Sequence, residues 1–280
     1  MSPKVAAVII LYNPDEKVIE NIGSYLHYVD ILYAVDNSEK KNTALMDQLK
    51  SNPMIHYIDN MGNKGIAHAL NRGFQEAFKD QFGFLLAMDQ DSRFKPGDSG
   101  KLLESIESDQ DIGIYSPLAF DNELKLFPFA DLVSITSGSI FSLDAYKKVG
   151  PFNNDLFIDS VDTEYCLRIH RKGYRLKRIP SITLDHHLGN TKKARFLFWD
   201  FYATNHSSLR RYYMTRNRFY LWEKFKTEYP EFVRFDRVMA LKELIKILLV
   251  EDNKLDKIRM SVKGYFDYKK SSYGKYPGGN

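Results

Sequence analysis

Short apolar runs alternate with segments of helical spacing along the first part of the chain. The apolar runs fall at residues 4–12, 31–35, 54–58 and 84–88, and the helical spacing at residues 16–27, 43–49 and 66–78. A short, nearly continuous apolar run bounded by turn residues is typical of a strand that is buried on both faces of a parallel sheet. The alternation therefore predicts a doubly wound, mostly parallel α/β sheet.

The alternation weakens beyond Pro117. Helices are predicted at residues 101–108, 144–149 and 162–172, and strands at residues 112–116, 132–142 (broken at Gly138), 176–180 and 182–184. From residue 194 the pattern is helical and rich in aromatic residues, with candidate helices at residues 209–225, 234–249 and 257–269. We expect one domain over residues 1–191 and a helical extension over residues 192–280, whose last ten residues have the composition of a disordered tail.

Polar residues follow each of the four predicted parallel strands. Asn13 follows the first strand, Asp36 the second, the loop at residues 60–64 the third, and Asp89-Gln90-Asp91 the fourth. In open α/β sheets, ligands bind in the crevice outside the carboxyl ends of the strands. The four strand ends therefore predict a polar cleft along one edge of the sheet.

Asp89 and Asp91 are the most acidic feature of that edge. Two carboxylates one residue apart can bind a hard divalent cation together with the diphosphate that accompanies it. An acidic, solvated turn after a strand is the alternative, because a bare Asp-X-Asp is a common sequence.

Two further places carry candidate chemistry. Asp162 lies at the start of a predicted helix, where the helix dipole favours an ionised carboxylate that can act as a general base; capping of the helix is the alternative. His186 and His187 follow a predicted strand, and at most one of them can face the cleft, because adjacent side chains on a strand point to opposite sides. A neutral imidazole there could complete the coordination of a cation held by Asp91, or could simply be exposed.

Basic residues supply candidate phosphate contacts. The loop at residues 60–65 leads into a helix N-terminus, where free N–H groups and Lys64 can bind an anion. Arg211, Arg216 and Arg218 lie among aromatic residues and could bind diphosphate or form a mixed helix face. The loop has neither the phosphate-binding Gly-Lys-Ser/Thr nor the dinucleotide Gly-X-Gly-X-X-Gly, and the chain has no Gly-X-Ser-X-Gly, which disfavours a dehydrogenase or an α/β-hydrolase.

The composition limits the class of protein but does not point to a particular reaction. With 44% hydrophobic and 27% charged residues, the 280-residue chain has the composition of an ordinary globular protein, and its one cysteine excludes a disulfide framework. No apolar stretch approaches the roughly 18 residues of a membrane span, so we expect a cytoplasmic protein. Residues 192–280 carry 20 Lys and Arg against 10 Asp and Glu, which suits phosphate, nucleic acid or an anionic membrane surface, or merely solvated helix faces.

Taken in chain order, the motifs resemble those of the inverting glycosyltransferases of family 2, which have the GT-A fold. They are Val-Ile-Ile-Leu-Tyr-Asn (8–13), Val-Asp-Asn-Ser (35–38), Asn-Lys-Gly-Ile-Ala (63–67), Asp-Gln-Asp (89–91), Val-Asp-Thr-Glu-Tyr-Cys-Leu-Arg (161–168) and His186 before Gly189. The resemblance runs from about Val5 to Gly189 and extends to Arg216-Asn217-Arg218. It implies a Rossmann-like mixed sheet flanked by helices, with a C-terminal helical extension.

The resemblance also implies roles for individual residues. Asp162 corresponds to the catalytic base, although Val161 stands where the family has a glutamate. Asp91 and His186 correspond to ligands of Mg²⁺ or Mn²⁺. The residues that correspond to contacts of the nucleotide-sugar are Tyr12, Asn13, Asp36, Asn63, Lys64, Asp89 and Arg216.

Within the family, Asp-Gln-Asp-Ser, Asn-Lys-Gly-Ile-Ala and Phe-Ile-Asp-Ser-Val-Asp-Thr-Glu are similar to the rhamnosyltransferase subgroup. This implies dTDP-rhamnose as the donor and a cell-surface glycan or lipid-linked acceptor. From the basic C-terminal residues we expect peripheral contact with the inner membrane surface, and no nucleic acid partner. Three alternatives stay open: a family 2 transferase with a UDP- or GDP-sugar donor, a sugar-phosphate nucleotidyltransferase, and a non-catalytic carbohydrate- or membrane-binding module. A nucleotidyltransferase should carry a Gly-rich basic loop after the first strand, where this chain has Tyr12-Asn13-Pro14-Asp15.

Overall fold

The computed structural model describes residues 3–119, 128–186, 192–196, 199–203 and 205–278, with the backbone alone at 118–119, 186, 192–196 and 199–203. The described residues form two compact units. The first unit comprises the described parts of Met1–Asn154 and Val161–His187, and the second those of Asp155–Ser160 and Leu188–Asn280. The segment Asp155–Ser160 therefore groups with the C-terminal region, although it precedes the expected boundary at residue 191.

The first unit begins with four parallel strands and the helices that connect them. The strands are β1 (Val5–Leu11), β2 (Ile31–Asp36), β3 (Ile55–Asp59) and β4 (Phe84–Asp89), and the helices are α1 (Lys17–Gly23), α2 (Thr43–Ser51) and α3 (Ile66–Lys79). In the described residues, these strands lie in the order β3-β2-β1-β4 within an eight-stranded sheet. The order places β1 centrally, and every one of its residues is buried, as its continuous apolar sequence predicts.

The remaining elements make the sheet mixed. They are β5 (Ser92–Phe94), α4 (Asp98–Glu104), β6 (Ile112–Ala119), β7 (Ser139–Ser142), α5 (Leu143–Val149), α6 (Val161–Arg171) and β8 (Arg175–His186). The sheet continues from β4 through β7, β6 and β8 to β5. Strand β7 is antiparallel to β4 and β6, β8 is parallel to β6, and β5 is antiparallel to β8.

Close packing fixes α3 on the central strand. A Cβ atom added to Gly73 of α3 would lie 2.2 Å from Cγ2 of Val8, so the helix backbone rests directly on β1. Farther along α3, Phe74 contacts the rings of Phe141 and Phe152 edge to face, with centroids 5.4 and 5.2 Å apart. The position of the α3 N-terminus is therefore set by contact with the centre of the sheet.

The second unit is mainly helical. After the antiparallel hairpin of β9 (Lys192–Phe196) and β10 (Trp199–Ala203), it contains α7 (Ser208–Phe225), α8 (Pro230–Leu249) and α9 (Lys254–Lys269). A Cβ atom at Gly264 would lie 2.4 Å from the Tyr212 carbonyl oxygen, so the backbones of α9 and α7 touch. Buried charges join these helices: Arg211 contacts Glu251 at 2.5 Å, and Lys257 contacts the same carboxylate at 2.8 Å.

Four local expectations differ from the structure. Residues 132–138 are not in a strand, because Gly138 has a left-handed φ of 74° and β7 begins only after it. The hairpin β9–β10 falls in the stretch that was expected to be helical. Two predicted strands are one irregular strand, β8. Part of the expected disordered tail makes defined contacts, since the Tyr276 N–H donates to the Tyr213 hydroxyl at 2.7 Å.

Candidate active site

The carboxyl ends of the four parallel strands lie at one edge of the sheet. In the pairing register, Leu11 of β1 is level with Asp36 of β2, and Asp36 is level with Asp59 of β3. On the other side of β1, Ile10 is level with Asp89 of β4. The sheet therefore brings the polar strand ends together, as the sequence predicts.

Asn37 connects two of these strand ends to the loop that precedes α3. Its side-chain oxygen accepts from the Asn60 amide at 2.8 Å and from the Lys64 N–H at 3.0 Å. Its side-chain nitrogen donates to Asn63 at 3.1 Å, and Asn63 accepts the Gly65 N–H at 3.0 Å. These bonds hold the N-terminus of α3 at the sheet edge, where its first N–H groups have no carbonyl partner within the helix. Lys64 is exposed beside it.

Asp36 is buried, and its carboxylate already has partners. One oxygen accepts the Tyr57 hydroxyl at 2.5 Å, and the other accepts the Ser38 N–H at 2.9 Å. Burial, and then the bond to Asp36, raise the pKa of Tyr57 well above its usual range. Lys41 also lies 3.4 Å from the carboxylate. Asp36 thus anchors this strand end, and a carboxylate has further acceptor sites for a ligand.

The side chain of Gln90 makes a pair of hydrogen bonds to the backbone of Tyr12, just beyond the end of β1. The Tyr12 N–H donates to the Gln90 side-chain oxygen at 2.8 Å, and the Gln90 side-chain nitrogen donates to the Tyr12 carbonyl at 3.1 Å. The next residue, Asn13, has a left-handed φ of 46° and donates its N–H to the Ser38 hydroxyl at 2.7 Å. These contacts fix Tyr12 and Asn13, whose side chains are exposed.

An acidic cleft of about 580 Å³ opens beside these residues. Its lining includes Asn13, Gln90 and Asp91, together with Asp15, Glu20, Arg93 and Asp185. Arg93 forms ion pairs with Glu20 at 2.5 Å and Asp185 at 3.6 Å. Asp89 lies next to the cleft-lining residues in sequence, and its N–H donates to the buried Ser137 hydroxyl at 3.0 Å. Asp91, which is exposed, is therefore the carboxylate of the Asp89-Gln90-Asp91 motif that lines the cleft.

Asp162 is in the first turn of α6 and is partly exposed. One of its carboxylate oxygens accepts the Thr163 N–H at 2.7 Å. Glu164, which could have complemented the helix dipole, is fully buried instead and accepts two bonds from Arg168 at 3.0 and 2.8 Å. Burial raises the pKa of the Cys166 thiol to about 12, which disfavours the thiolate that a nucleophilic cysteine needs.

Arg216 does not have the position expected of a phosphate-binding residue. Its guanidinium is fully buried in the C-terminal unit. It donates to the carbonyls of Gly274 at 2.7 Å, Asp155 at 3.0 Å and Leu156 at 3.0 Å, and to the Asn217 side chain at 3.0 Å. The expected diphosphate contact is corrected accordingly, because each nitrogen of this guanidinium already donates to protein oxygen atoms.

The other expected metal ligand, His186, closes β8, where its Cα pairs with that of Ser92. Its side chain lies outside the described part of the structure, and so does the whole of His187. Within the part of the chain that is described, three or more His, Cys, Asp or Glu side chains do not cluster as a metal site would require.

The segment that contains the four strand ends matches a known protein family. A family model described as "Glycosyl transferase family 2" matches residues 6–159. The chain belongs to glycosyl transferase family 2.

Relatives within family 2 extend the similarity beyond the matched segment. The chain is 28% identical to "dTDP-rhamnosyl transferase RfbF" of Shigella flexneri over 288 aligned positions, which cover 95% of this chain and 96% of that protein. It is 30% identical to "Dolichol-phosphate mannosyltransferase" of Pyrococcus furiosus over 132 positions, which cover 45% of this chain and 36% of that protein. The chain is a glycosyltransferase that is similar to a rhamnosyltransferase along nearly its whole length.

Solved structures agree on the fold. The mannosyltransferase PcManGT from Pyrobaculum calidifontis, in complex with GDP-Man and Mn²⁺, is 13% identical, with a TM-score of 0.65 over 97% of this chain and 84% of that one. GalNAc-T7 with UDP, GalNAc and Mn²⁺ is 14% identical, with a TM-score of 0.53 over 66% of this chain and 43% of that one. At these identities the likeness is one of fold, and this glycosyltransferase has the GT-A fold.

Sequence reasoning identified the strand ends but missed the groups that support them. Asn13 and Asp91 line one cleft, and Asn63 and Lys64 are tied through Asn37 to the strand end of Asp36. The supporting residues that were missed are Asn37, Tyr57, Ser137 and Gln90, the last of which had been interpreted through donor choice. Only Asn37 and Gln90 carried a signal, because each is the second residue after a predicted strand.

Proposed function

We propose that this glycosyltransferase inverts the anomeric configuration of the sugar it transfers and takes rhamnose from dTDP-rhamnose. The carrying observation for transfer is the edge where the four parallel strands end, at which Asn13 and Asp91 line one cleft and Asp36 closes the neighbouring strand. The donor assignment is supported by the near full-length similarity to a protein named as a dTDP-rhamnosyl transferase. We propose a cell-surface glycan or lipid-linked acceptor, used at the cytoplasmic face of the inner membrane.

Asp162 is the proposed general base. Its carboxylate, held at the start of α6 by the Thr163 N–H, accepts the proton of the acceptor hydroxyl. The hydroxyl oxygen then forms a bond to the anomeric carbon while the bond from that carbon to the diphosphate oxygen breaks. The bonding electrons leave with the nucleoside diphosphate. One displacement from the opposite face inverts the anomeric centre, so a covalent enzyme intermediate is not needed.

The nucleotide would lie across the strand ends. Tyr12, Asn13 and Asp36 are proposed to bind the base, and Asp89 the ribose. Asn63 and Lys64 are proposed to contact the diphosphate at the start of α3, where a positive helix end and an exposed ammonium favour an anion. The Asn37 bonds support this arrangement, because they hold the loop against β2 before any ligand binds.

A divalent cation fits the donor set of the cleft. Asp91 offers an exposed carboxylate, and a Mg²⁺ or Mn²⁺ ion held by one or two carboxylates is completed by phosphate oxygens and water. Asp91, with His186, would hold the ion, which would supply charge neutralisation at the leaving diphosphate. The Mn²⁺ named for two structural neighbours supports this choice.

The first experiment compares Asp162→Asn with the wild-type enzyme. We expect release of nucleoside diphosphate from dTDP-rhamnose with acceptor to fall about 100-fold or more, while nucleotide affinity is retained. Near-normal turnover would remove Asp162 from the base role. Replacing Asp91 by Asn should instead weaken nucleotide binding in the presence of Mn²⁺, with little change in its absence.

Product analysis separates the remaining possibilities. Thermal shifts with dTDP-, UDP- and GDP-sugars should be largest for dTDP-rhamnose; a larger shift with another donor would contradict the rhamnose assignment. The anomeric proton signals of donor and product should show opposite configurations. Release of sugar 1-phosphate instead of nucleoside diphosphate from these donors would indicate nucleotidyl transfer.

We further propose that α8 binds an anionic membrane surface. Six large apolar side chains in the C-terminal part of this helix are between 41% and 58% exposed: Val238, Leu241, Leu244, Ile245, Leu248 and Leu249. The helix also exposes Arg237 and Lys242, whereas its acidic Glu231 pairs with Arg234, and Asp236 and Glu243 form ion pairs with Arg218. An apolar stripe flanked by cations suits anionic lipid, while a second copy of the helix would bring like charges together. Within the described residues, no helix is both long and apolar enough to cross a bilayer.

Vesicle sedimentation tests this surface. The protein should sediment with vesicles that contain phosphatidylserine and less with phosphatidylcholine alone, and Leu241→Ser with Leu248→Ser should abolish the difference. High salt should weaken binding. Equal binding to both vesicle types, or a dimer in sedimentation velocity that the double substitution dissociates, would contradict the lipid assignment.

A further inference from the structure

The segment Asp155–Ser160, which we name the strap, has an unusual backbone. Phe157, Asp159 and Ser160 have φ angles of 62°, 64° and 62°. Residues with a side chain avoid this left-handed region because the Cβ atom crowds the following carbonyl. Three such residues within four positions persist only where surrounding structure holds them, and clusters of this kind are typical of functional sites.

Two neighbouring residues of α7 hold the strap through its carbonyl groups. Arg216 donates to the carbonyls of Asp155 and Leu156, both at 3.0 Å. The Asn217 amide donates to the carbonyls of Leu156, Ile158 and Asp159 at 2.9, 2.8 and 2.9 Å. Four of the six strap carbonyls are therefore bound by one Arg-Asn pair.

The strap is also held at its side chains. The ring of Phe157 stacks on that of Tyr213, with centroids 5.1 Å apart and planes 19° apart. The Asp159 carboxylate pairs with Arg210 at 3.0 Å. Both partners are on α7, so the same helix contacts the strap by stacking, by an ion pair and by hydrogen bonds.

The burial of Arg216 and Asn217 indicates that this geometry is demanding. Both residues are 0% exposed. A buried guanidinium is costly unless its donors are satisfied, and here they are directed to main-chain and amide oxygens. A simple contact between a helix and a loop would need only apolar side chains. The buried amide and guanidinium instead specify where individual strap carbonyls lie.

We propose that Arg216 and Asn217 are positioning residues for Asp162. The chain passes from Ser160 into Val161, the first residue of α6, and then into Asp162. Ser160, the last left-handed residue of the strap, is only two positions before Asp162, so the strap backbone leads directly into the turn that carries the carboxylate. Releasing the strap carbonyls lets its left-handed residues relax and displaces the carboxylate. The inference rests on the proposed role of Asp162 as base.

The sharpest test is Asn217→Asp, which keeps the shape of the side chain but replaces the donating amide by an oxygen facing three carbonyls. We expect kcat to fall about 10- to 100-fold, as for a catalytic group displaced by about 1 Å. The dissociation constant for the nucleoside diphosphate with Mn²⁺ should stay within about twofold of wild type. Asn217→Ser, which retains one donor, should give an intermediate kcat and serves if the aspartate variant does not fold.

Arg211→Lys is the matched control. Arg211 is a buried arginine on the same helix, 4% exposed, but it pairs with Glu251 and Glu243 rather than with the strap. This variant should lower the unfolding midpoint and leave kcat within about twofold. If it reduces kcat as much as the Asn217 variants do, or if both Asn217 variants keep normal kcat, the positioning role is overturned.

A double variant separates this inference from the proposed function. If Asn217 acts through Asp162, adding Asn217→Asp to Asp162→Asn should change the residual rate by less than about twofold, because both act on one group. Multiplicative losses would overturn the inference while leaving Asp162 as base. Near-normal turnover of Asp162→Asn alone would instead overturn the base assignment, whatever the Asn217 variants do.

Discussion

The two units bury polar groups in different ways. In the sheet unit, the buried polar residues of β2 and of the loop before α3, Asp36, Asn37, Ser38 and Asn60, lie just where parallel strands end. In the helical unit, the charges of Arg211, Glu251 and Lys257 are buried inside the packing of the helices, at 4%, 2% and 3% exposure. The backbone N–H and C=O groups of adjacent strands bond to one another in the sheet, so the polar side chains at these strand ends are not needed to pair the strands.

The three helices of the helical unit, α7, α8 and α9, are not paired by a strand ladder. Its helices carry aromatic and basic residues around much of their circumference, and buried ion pairs then select one packing among several. Both tryptophans of the chain, Trp199 and Trp222, lie in this unit, whereas far-UV circular dichroism reports on both units. Tryptophan fluorescence can therefore separate the two in the experiments below.

The largest effect is expected from Glu251→Gln. The substitution leaves Lys257 and Arg211 buried without the carboxylate that both contact, and removal of one partner from a buried ion pair costs about 3–5 kcal/mol. Urea unfolding followed by tryptophan fluorescence should show this loss. The exposed pair of Glu231 with Arg234 is the control, since Glu231→Gln should cost less than about 1 kcal/mol. Equal costs would remove the contrast between buried and surface charges.

Gly73→Ala should destabilise the sheet unit instead. The added methyl group would lie 2.2 Å from Val8, and overpacking of this kind costs about 1–3 kcal/mol. The transition seen by circular dichroism should shift while the tryptophan transition does not. Gly83→Ala, where a Cβ atom meets nothing within 4 Å, should have little effect. A shift of the tryptophan transition by Gly73→Ala would show that the two units unfold together.

These contrasts also explain what the sequence could reveal. Period and turn residues located β1 to β4 within a residue or two, because each strand is apolar, short and bounded by polar groups. Asn13 and Asp91 followed directly from those ends. Gly138 was read as a break inside a strand, but its left-handed φ instead precedes the strand.

The helical unit and the strap could not be derived in the same way. A basic residue such as Arg216 gives the same sequence signal whether it faces phosphate or main-chain carbonyls. The left-handed φ of Phe157 is set by Arg216 and Asn217, about 60 residues away, and local propensity opposes it. The hairpin β9–β10 lies in an aromatic and basic stretch whose spacing fits helix as well as strand.

The smallest expected effect is a loss of stability of the helical unit at low pH. Burial alone would raise the pKa of Glu243, but its hydrogen bonds and attraction to Arg218 and Arg211 hold that pKa below the usual range. A depressed pKa in the folded state gives stability that is present above the unfolded value of about 4.3 and is lost as pH falls through the folded value. The tryptophan-monitored urea midpoint should therefore decrease below about pH 4. Glu243→Gln should reduce that decrease. An unchanged pH dependence of the urea midpoint would show that Glu243 does not cause it.

The close approach of α9 to α7 depends on the absence of a side chain at Gly264. A methyl group there would lie 2.4 Å from the Tyr212 carbonyl oxygen and 3.2 Å from the Arg216 backbone nitrogen. Gly264→Ala must therefore push α9 and α7 apart. The added methyl group would displace the backbone of α7 at the turn whose side chains bind the strap carbonyls. A mutation about 100 residues beyond Asp162 in the chain would thus act on the residues that hold the strap, with every residue of the sheet edge left intact.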